Sequence, residues 1–185
     1  MSLNDPLILY VVISIATSVV GSIIAYVVYE LARGARRDKA GRIEGAWVIN
    51  IGTDVAEGRI RNENGEWLAR QLSRVGLKVL NVSAVHVDED VIRDEVRRAM
   101  DSKDVGLIVT TGGLSWDTRN RVVGAVREAV GNADEESLPN PVGSAPGVLM
   151  RAKGKTIIML PGVPSEMKKM YKMYVLREIN KMLKR

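Results

Sequence analysis

From Leu7 to Tyr29 no charged side chain interrupts the apolar pattern, and the run LILYVVISIATSVVGSIIAYVVY matches the roughly 20 residues needed to cross a bilayer core. One transmembrane helix is expected there. A cleaved signal peptide is the rival, but the leader MSLND has no basic residue, carries Asp5, and precedes an apolar run longer than an ordinary signal core. Further along, the pattern becomes that of a folded domain. Trp47 to Ile51 has the composition of a buried strand, Val79 to Val85 is expected as a second strand, and Val105 to Val109 carries β-branched and apolar residues with little alternation, as a parallel strand buried on both faces requires. Between the first two, Trp67, Leu68, Leu72 and Val75 recur on one face of a helix that Asn62 or Asn64 can cap and Gly76 stops. Asp88 to Met100 predicts a second helix, acids leading and bases trailing as the helix dipole prefers, and Arg121 to Val130 a third. Residues 131–147, GNADEESLPNPVGSAPG, are too rich in Pro, Gly and polar side chains for an element and are expected to be loop. Gly147 to Arg151 and Thr156 to Leu160 flank Lys153-Gly154-Lys155 as a hairpin, and Pro164 falls in the first turn of a last helix.

Strands and helices in alternation give an α/β fold with a mainly parallel sheet plus an antiparallel hairpin, preceded by one transmembrane helix. The expected organisation is an anchor over residues 1–32, a basic juxtamembrane linker over 33–45 and a domain over 46–185. Arg33, Arg36, Arg37 and Lys39 follow the apolar span directly, which places the protein in a membrane as a single-pass chain with its C-terminal domain cytoplasmic. Small residues at Thr17, Gly21 and Ala25, and at Ser14, Ser18 and Ser22, form two neighbouring stripes that suit packing against another helix, hence a homo-oligomer.

The formal charge of +5 belongs to the end of the chain, because residues 166–185 hold seven Lys or Arg against two acids and the remainder sums to zero. A solvated helix face explains that charge, and with three Trp and no Phe the chain lacks the aromatics of a base-stacking surface, so no nucleic-acid partner is expected. With no Cys and a single His, His86, any metal must be held by oxygen.

Chemistry points to the strand ends. Gly52-Thr53-Asp54, Thr111 to Ser115 and Pro161 to Ser165 each close a predicted parallel strand with glycine and hydroxyl groups, and such ends share one rim of the sheet. Gly112 and Gly113 form the core of this rim, since glycine turns sharply and lets an anion approach backbone N–H groups. A small-molecule ligand bearing phosphate is therefore expected, and Gly113→Val should block its approach while sparing most of the fold.

The segments IGTDVAEGRIRNENGEWLARQL, VTTGGLS, NPVGSAPG and LPGVPSEMKKMY, in this order, resemble the MoaB/Mog domain as it occurs in CinA proteins. The resemblance implies a three-layer α/β/α fold that binds molybdopterin or an adenine nucleotide; some members transfer adenylyl groups or cleave ADP-ribose with a divalent metal. The separate C-terminal deamidase domain of CinA is not represented here, and its activity is not carried over. On this resemblance the ligand-binding residues are Gly52, Thr53, Thr111, Gly112, Gly113, Ser115, Arg119, Asn120, Gly143, Pro161, Gly162, Ser165 and Glu166. If the site is an enzyme, a pyrophosphatase or adenylyltransferase, Asp54, Asp88 and Asp117 are the candidate catalytic acids that would hold Mg²⁺. A non-catalytic scaffold is the other alternative. Two departures bear on this choice: Asn120 stands where the family pattern has a carboxylate, and Ser115-Trp116-Asp117 stand where the CinA-like pattern has Gly-Pro-Thr, with Trp116 either stacking on a pterin or adenine ring or filling the gap left by the missing proline and glycine. An amide is a poorer Mg²⁺ ligand than a carboxylate, so little metal-dependent turnover is expected unless Asn120→Asp restores it.

Overall fold

The computed structural model describes residues 45–183 together with Gly21, Ser22, Ile24 and Tyr26, which are helical. The expected membrane span, Leu7 to Tyr29, and the basic linker therefore lie almost wholly outside the described residues, and among those described no helix is long and apolar enough to cross a membrane. By its contacts the chain divides into Met1–Gly41 and Arg42–Arg185, and the fold below is that of the second unit.

Six strands, β1 (Gly45–Ile51), β2 (Lys78–Val85), β3 (Leu107–Gly112), β4 (Asp134–Leu138), β5 (Gly147–Ala152) and β6 (Lys155–Leu160), form one sheet in the order β2-β1-β3-β6-β5-β4. β2, β1, β3 and β6 run parallel, whereas β5 is antiparallel to both its neighbours. The β5–β6 hairpin turns through Lys153 and Gly154 at φ +51° and +76°, the double positive φ that a tight hairpin turn requires. Helices α1 (Thr53–Ala56), α2 (Glu63–Arg74), α3 (Glu89–Asp101), α4 (Arg119–Val130), α5 (Pro164–Met170) and α6 (Leu176–Leu183) connect and cover the strands.

Both faces of the sheet are apolar because its central strands read as unbroken runs. One face packs Ile49, Ile108 and Ile157 under Ile92 and Val96 of α3 and Val122 and Val126 of α4. The other packs Val48, Val109 and Ile158 under Leu68 and Leu72 of α2 and Met167, Met170 and Ile179 of the C-terminal helices. A buried carboxylate ties α3 to the sheet: Glu95 accepts hydrogen bonds from Trp47 Nε1 (3.0 Å), Ser83 Oγ (2.6 Å) and Arg98 Nη1 (2.8 Å).

The structure departs from sequence expectation in three places. Residues 131–147 are not all loop, because Asp134–Leu138 pairs with β5 as an edge strand. Its residues DEESL carry no apolar alternation; four of the five are exposed, and their charges suit a sheet edge, with Glu135 bonded to Arg127. Gly52-Thr53-Asp54 is not a simple turn but opens the one-turn helix α1. The last helix is interrupted by a π-helical stretch, Tyr171–Val175, where Tyr171 meets Trp67 edge-on with ring centroids 5.1 Å apart. Burial there pushes the Tyr171 phenol up to about 12.

Candidate functional site

β2 follows β1 on one side of the sheet while β3 lies on the other, so strand order reverses between β1 and β3. A crevice forms beyond the carboxyl ends of strands at such a reversal. Here it is a cleft of about 690 Å³, walled by Asn50 and Ile51 of β1, Glu63 and Asn64 of α2, the turn Gly112 to Trp116, Ser144 and Ala145, Pro161 to Pro164, and Glu166. Val55, Ile60 and Arg61 complete the wall.

Amides and one hydroxyl lock the strand ends that frame it. Asn64 Nδ2 donates to Gly162 O at 2.7 Å and to Thr111 Oγ1 at 3.3 Å, and Thr111 Oγ1 donates to Pro161 O at 3.0 Å. From the β1 side, Asn50 Nδ2 donates to Asn62 Oδ1 at 2.7 Å, while that same oxygen accepts the Gly65 N–H at 3.0 Å and caps α2. Asn62 is thus the cap, and Asn64 turns inward.

Close approach of backbone explains the two central glycines. Gly112 sits at φ +89°, and a Cβ there would lie 2.3 Å from the Ile51 carbonyl oxygen. Gly113 sits at φ +69°, and its Cβ would come within 2.9 Å of Val122 Cγ2 and 3.0 Å of Ile51 Cγ2. The expectation that Gly113→Val spares the fold is thereby corrected, since the added methyls would enter the packed interior and not only the ligand space.

Beyond the glycines the turn is pinned by its own side chains. Ser115 Oγ donates to Asp117 Oδ1 at 2.7 Å, Thr118 Oγ1 lies 2.8 Å from Ser115 Oγ, and Thr118 Oγ1 donates to Gly113 O at 3.0 Å. The hydrogen bond from Ser115, helped by backbone N–H groups, holds the Asp117 carboxyl below its ordinary range, so it is ionised at neutral pH. Trp116 between them is 99% exposed. It fills no gap, which removes the space-filling explanation of this residue.

Of the residues expected to bind ligand, Gly112, Gly113, Ser115, Pro161, Gly162 and Glu166 line the cleft, and Thr111 is buried directly behind its wall. The others lie off it. Gly52 N donates to Val85 O (2.9 Å), Thr53 Oγ1 accepts from Val87 N (3.3 Å), and Arg119 Nη1 donates to Pro146 O. Asn120 and Ser165 are exposed in the first turns of α4 and α5. Gly143 supports the wall indirectly: a Cβ would fall 2.2 Å from the Glu166 carboxyl carbon, and Glu166 in turn accepts from Asn140 Nδ2 at 2.7 Å.

The three acids considered for metal binding are occupied separately. Asp54 Oδ1 accepts from Arg59 Nε at 2.8 Å, Asp88 caps α3 by accepting from Asp90 N and Val91 N, and Asp117 holds the turn just described. Among the described residues no group of three or more His, Cys, Asp or Glu is placed to hold a metal ion. A Mg²⁺ site built from protein carboxylates does not fit this set. Asn50, Glu63 and Asn64, which also line the wall, are not among the expected site residues, Asn64 reading in sequence only as a helix cap; an amide near the end of an apolar strand at Asn50 is the available signal.

A family model described as probable molybdopterin binding domain matches residues 47–181. The chain belongs to that family. The kinship with CinA inferred from the motifs is borne out: a CinA-like protein of Thermomicrobium roseum is 32% identical over 160 residues, covering 68% of this chain and 39% of that protein. A protein of Pyrobaculum arsenaticum is 29% identical over 160 residues, and this chain spans 60% of its length. Among solved structures, the CinA protein of Thermoplasma acidophilum superposes with a TM-score of 0.65 at 26% identity, covering 70% of this chain and 95% of that one. MoaB of Thermus thermophilus superposes with a TM-score of 0.60 at 18% identity, over 76% of this chain and 96% of that one, a likeness of fold alone.

Proposed function

We propose that the cleft binds molybdopterin or an adenine nucleotide, as a phosphate-bearing small molecule, without metal-dependent turnover. The observation that carries this reading is the locked rim itself. Asn64, Thr111, Pro161 and Gly162 fix the ends of β3 and β6 around Gly112 and Gly113, at the reversal in strand order where α/β sheets hold ligands. Membership of the family described as probable molybdopterin binding domain supports the pterin. The separate engagement of Asp54, Asp88 and Asp117 favours binding over Mg²⁺-dependent pyrophosphatase or adenylyltransferase chemistry.

A thermal-shift series with a phosphorylated pterin, AMP and ADP-ribose, each with and without Mg²⁺, tests the proposal. Stabilisation of about 2.7 kcal/mol is expected when ligand reaches about a hundred times Kd, equal in both conditions, with no cleavage product. Stabilisation or turnover that requires Mg²⁺ would overturn the metal-free reading.

For the whole protein we propose a single-pass membrane anchor through residues 7–29 with the domain on the cytoplasmic side, supported by the uncharged run and the basic residues that follow it. The full chain should then resist carbonate extraction from membranes, while a chain starting at Gly41 should be released; full-length protein in the soluble fraction would contradict the anchor.

A further inference from the structure

We propose that Trp116 selects for the fused planar ring of the ligand, so that the cleft discriminates a phosphorylated heterocycle from other phosphorylated small molecules. This inference rests on the reading of the cleft as a ligand site.

The placement of the ring is what recommends it. An indole that is 99% exposed packs against nothing in the free protein, yet its backbone is not loose. Ser115, Asp117 and Thr118 are bonded to one another around it, Leu114 before it is buried, and Arg119 N donates to Ser115 O at 2.8 Å to start α4. A rigid turn therefore presents a single large aromatic face in water at the edge of a concave wall. Ile60 and Val163, 56% and 51% exposed, line the same cleft and give a ring further apolar surface. Below them the floor is glycine and amide, suited to phosphate and to polar ring edges.

A fused heterocycle has the complementary shape: two flat faces that need desolvation and edges that need hydrogen bonds. Its face would lie against the Trp116 indole while its phosphate reached the Gly112–Gly113 floor. A ribose phosphate lacking a base would make only the second contact. Selectivity for the ring thus becomes a property of one exposed residue whose removal disturbs no packing.

The remaining two tryptophans make the test clean. Trp47 is bonded to Glu95, Trp67 is packed on Tyr171 and neither lines the cleft, so the part of a ligand-dependent emission change that Trp116→Ala removes reports on Trp116. Titrations of the full chain would compare AMP and a pterin monophosphate with ribose 5-phosphate, in the native protein and in Trp116→Ala and Trp116→Phe. Native protein should bind both heterocyclic probes about tenfold or more tighter than ribose 5-phosphate, by the usual strength of base–aromatic stacking, with AMP quenching the exposed indole. Trp116→Ala should lose that preference while its ribose 5-phosphate affinity stays the same, and Trp116→Phe should keep most of it. Equal AMP and pterin affinities in native protein and Trp116→Ala would overturn the inference while leaving the cleft reading intact. Absence of binding by all three probes to the native protein would overturn both.

Discussion

Gly112→Ala should destabilise the domain by about 3–5 kcal/mol, the range of severe packing and backbone faults. Two penalties coincide at this position. An L-residue at φ +89° costs about 1–2 kcal/mol by itself. The new Cβ would also sit 2.3 Å from the backbone oxygen of Ile51, which cannot swing aside because Ile51 is paired with Gly112 across β1 and β3. Gly76→Ala separates the two effects: Gly76 follows α2 at φ +86° with nothing within 4 Å of its Cβ, so it should show only the smaller cost. Denaturant unfolding of both variants gives the comparison. A loss at Gly112 no larger than that at Gly76 would mean that β1 and β3 part easily and that the glycine is not there for close backbone approach.

Asn64→Ala should cost about 1–2 kcal/mol of stability, because it removes the donor to Gly162 O and to the buried Thr111 Oγ1. Its larger effect should be on ligand affinity, since the Pro161–Gly162 segment loses its tie to α2 and the wall of the cleft is no longer held. Asn64→Asp discriminates the mechanism from a mere change of volume. The carboxylate is nearly the same size but offers no donor, so at neutral pH it would set negative charge against the Gly162 carbonyl and be worse than alanine. Burial without a donor raises the folded-state pKa of such an acid above its unfolded value. The deficit of Asn64→Asp relative to the native chain is therefore full at neutral pH and shrinks as pH falls through that raised pKa. An Asn64→Asp protein as stable as the native one at pH 7 would show that the amide donor is dispensable.

The parts of this structure that the sequence made legible are those where one physical demand dominates. Trp47 to Ile51 and Val105 to Val109 read as strands because a parallel strand under two helical layers needs apolar residues on both faces, Val79 to Val85 keeps the β-branched composition of a strand although it forms a half-exposed sheet edge, and Asp88 announced α3 by capping it. β4 was hidden because an edge strand held by β5 alone can be built from DEESL, residues chosen for solvent and charge. Asn62 and Asn64 were interchangeable as caps in sequence; only the register of α2 sends one to the helix end and the other to Gly162. The same limit applied to the acids. Asp54, Asp88 and Asp117 have the chemistry of metal ligands, but local partners within five residues claim each of them. Trp116 was visible as an oddity of composition, whereas its exposure required the fold.

Hydrogen exchange of the full chain, with and without a saturating phosphorylated pterin or AMP, tests the ligand cleft most directly. Ligand should slow exchange in the segments spanning residues 110–118 and 160–166, which hold the glycine turn and the Pro161–Gly162 wall, and leave β4 and α6 unchanged. Protection confined to the basic C-terminal helix, or none in either wall segment under saturating ligand, would contradict the account.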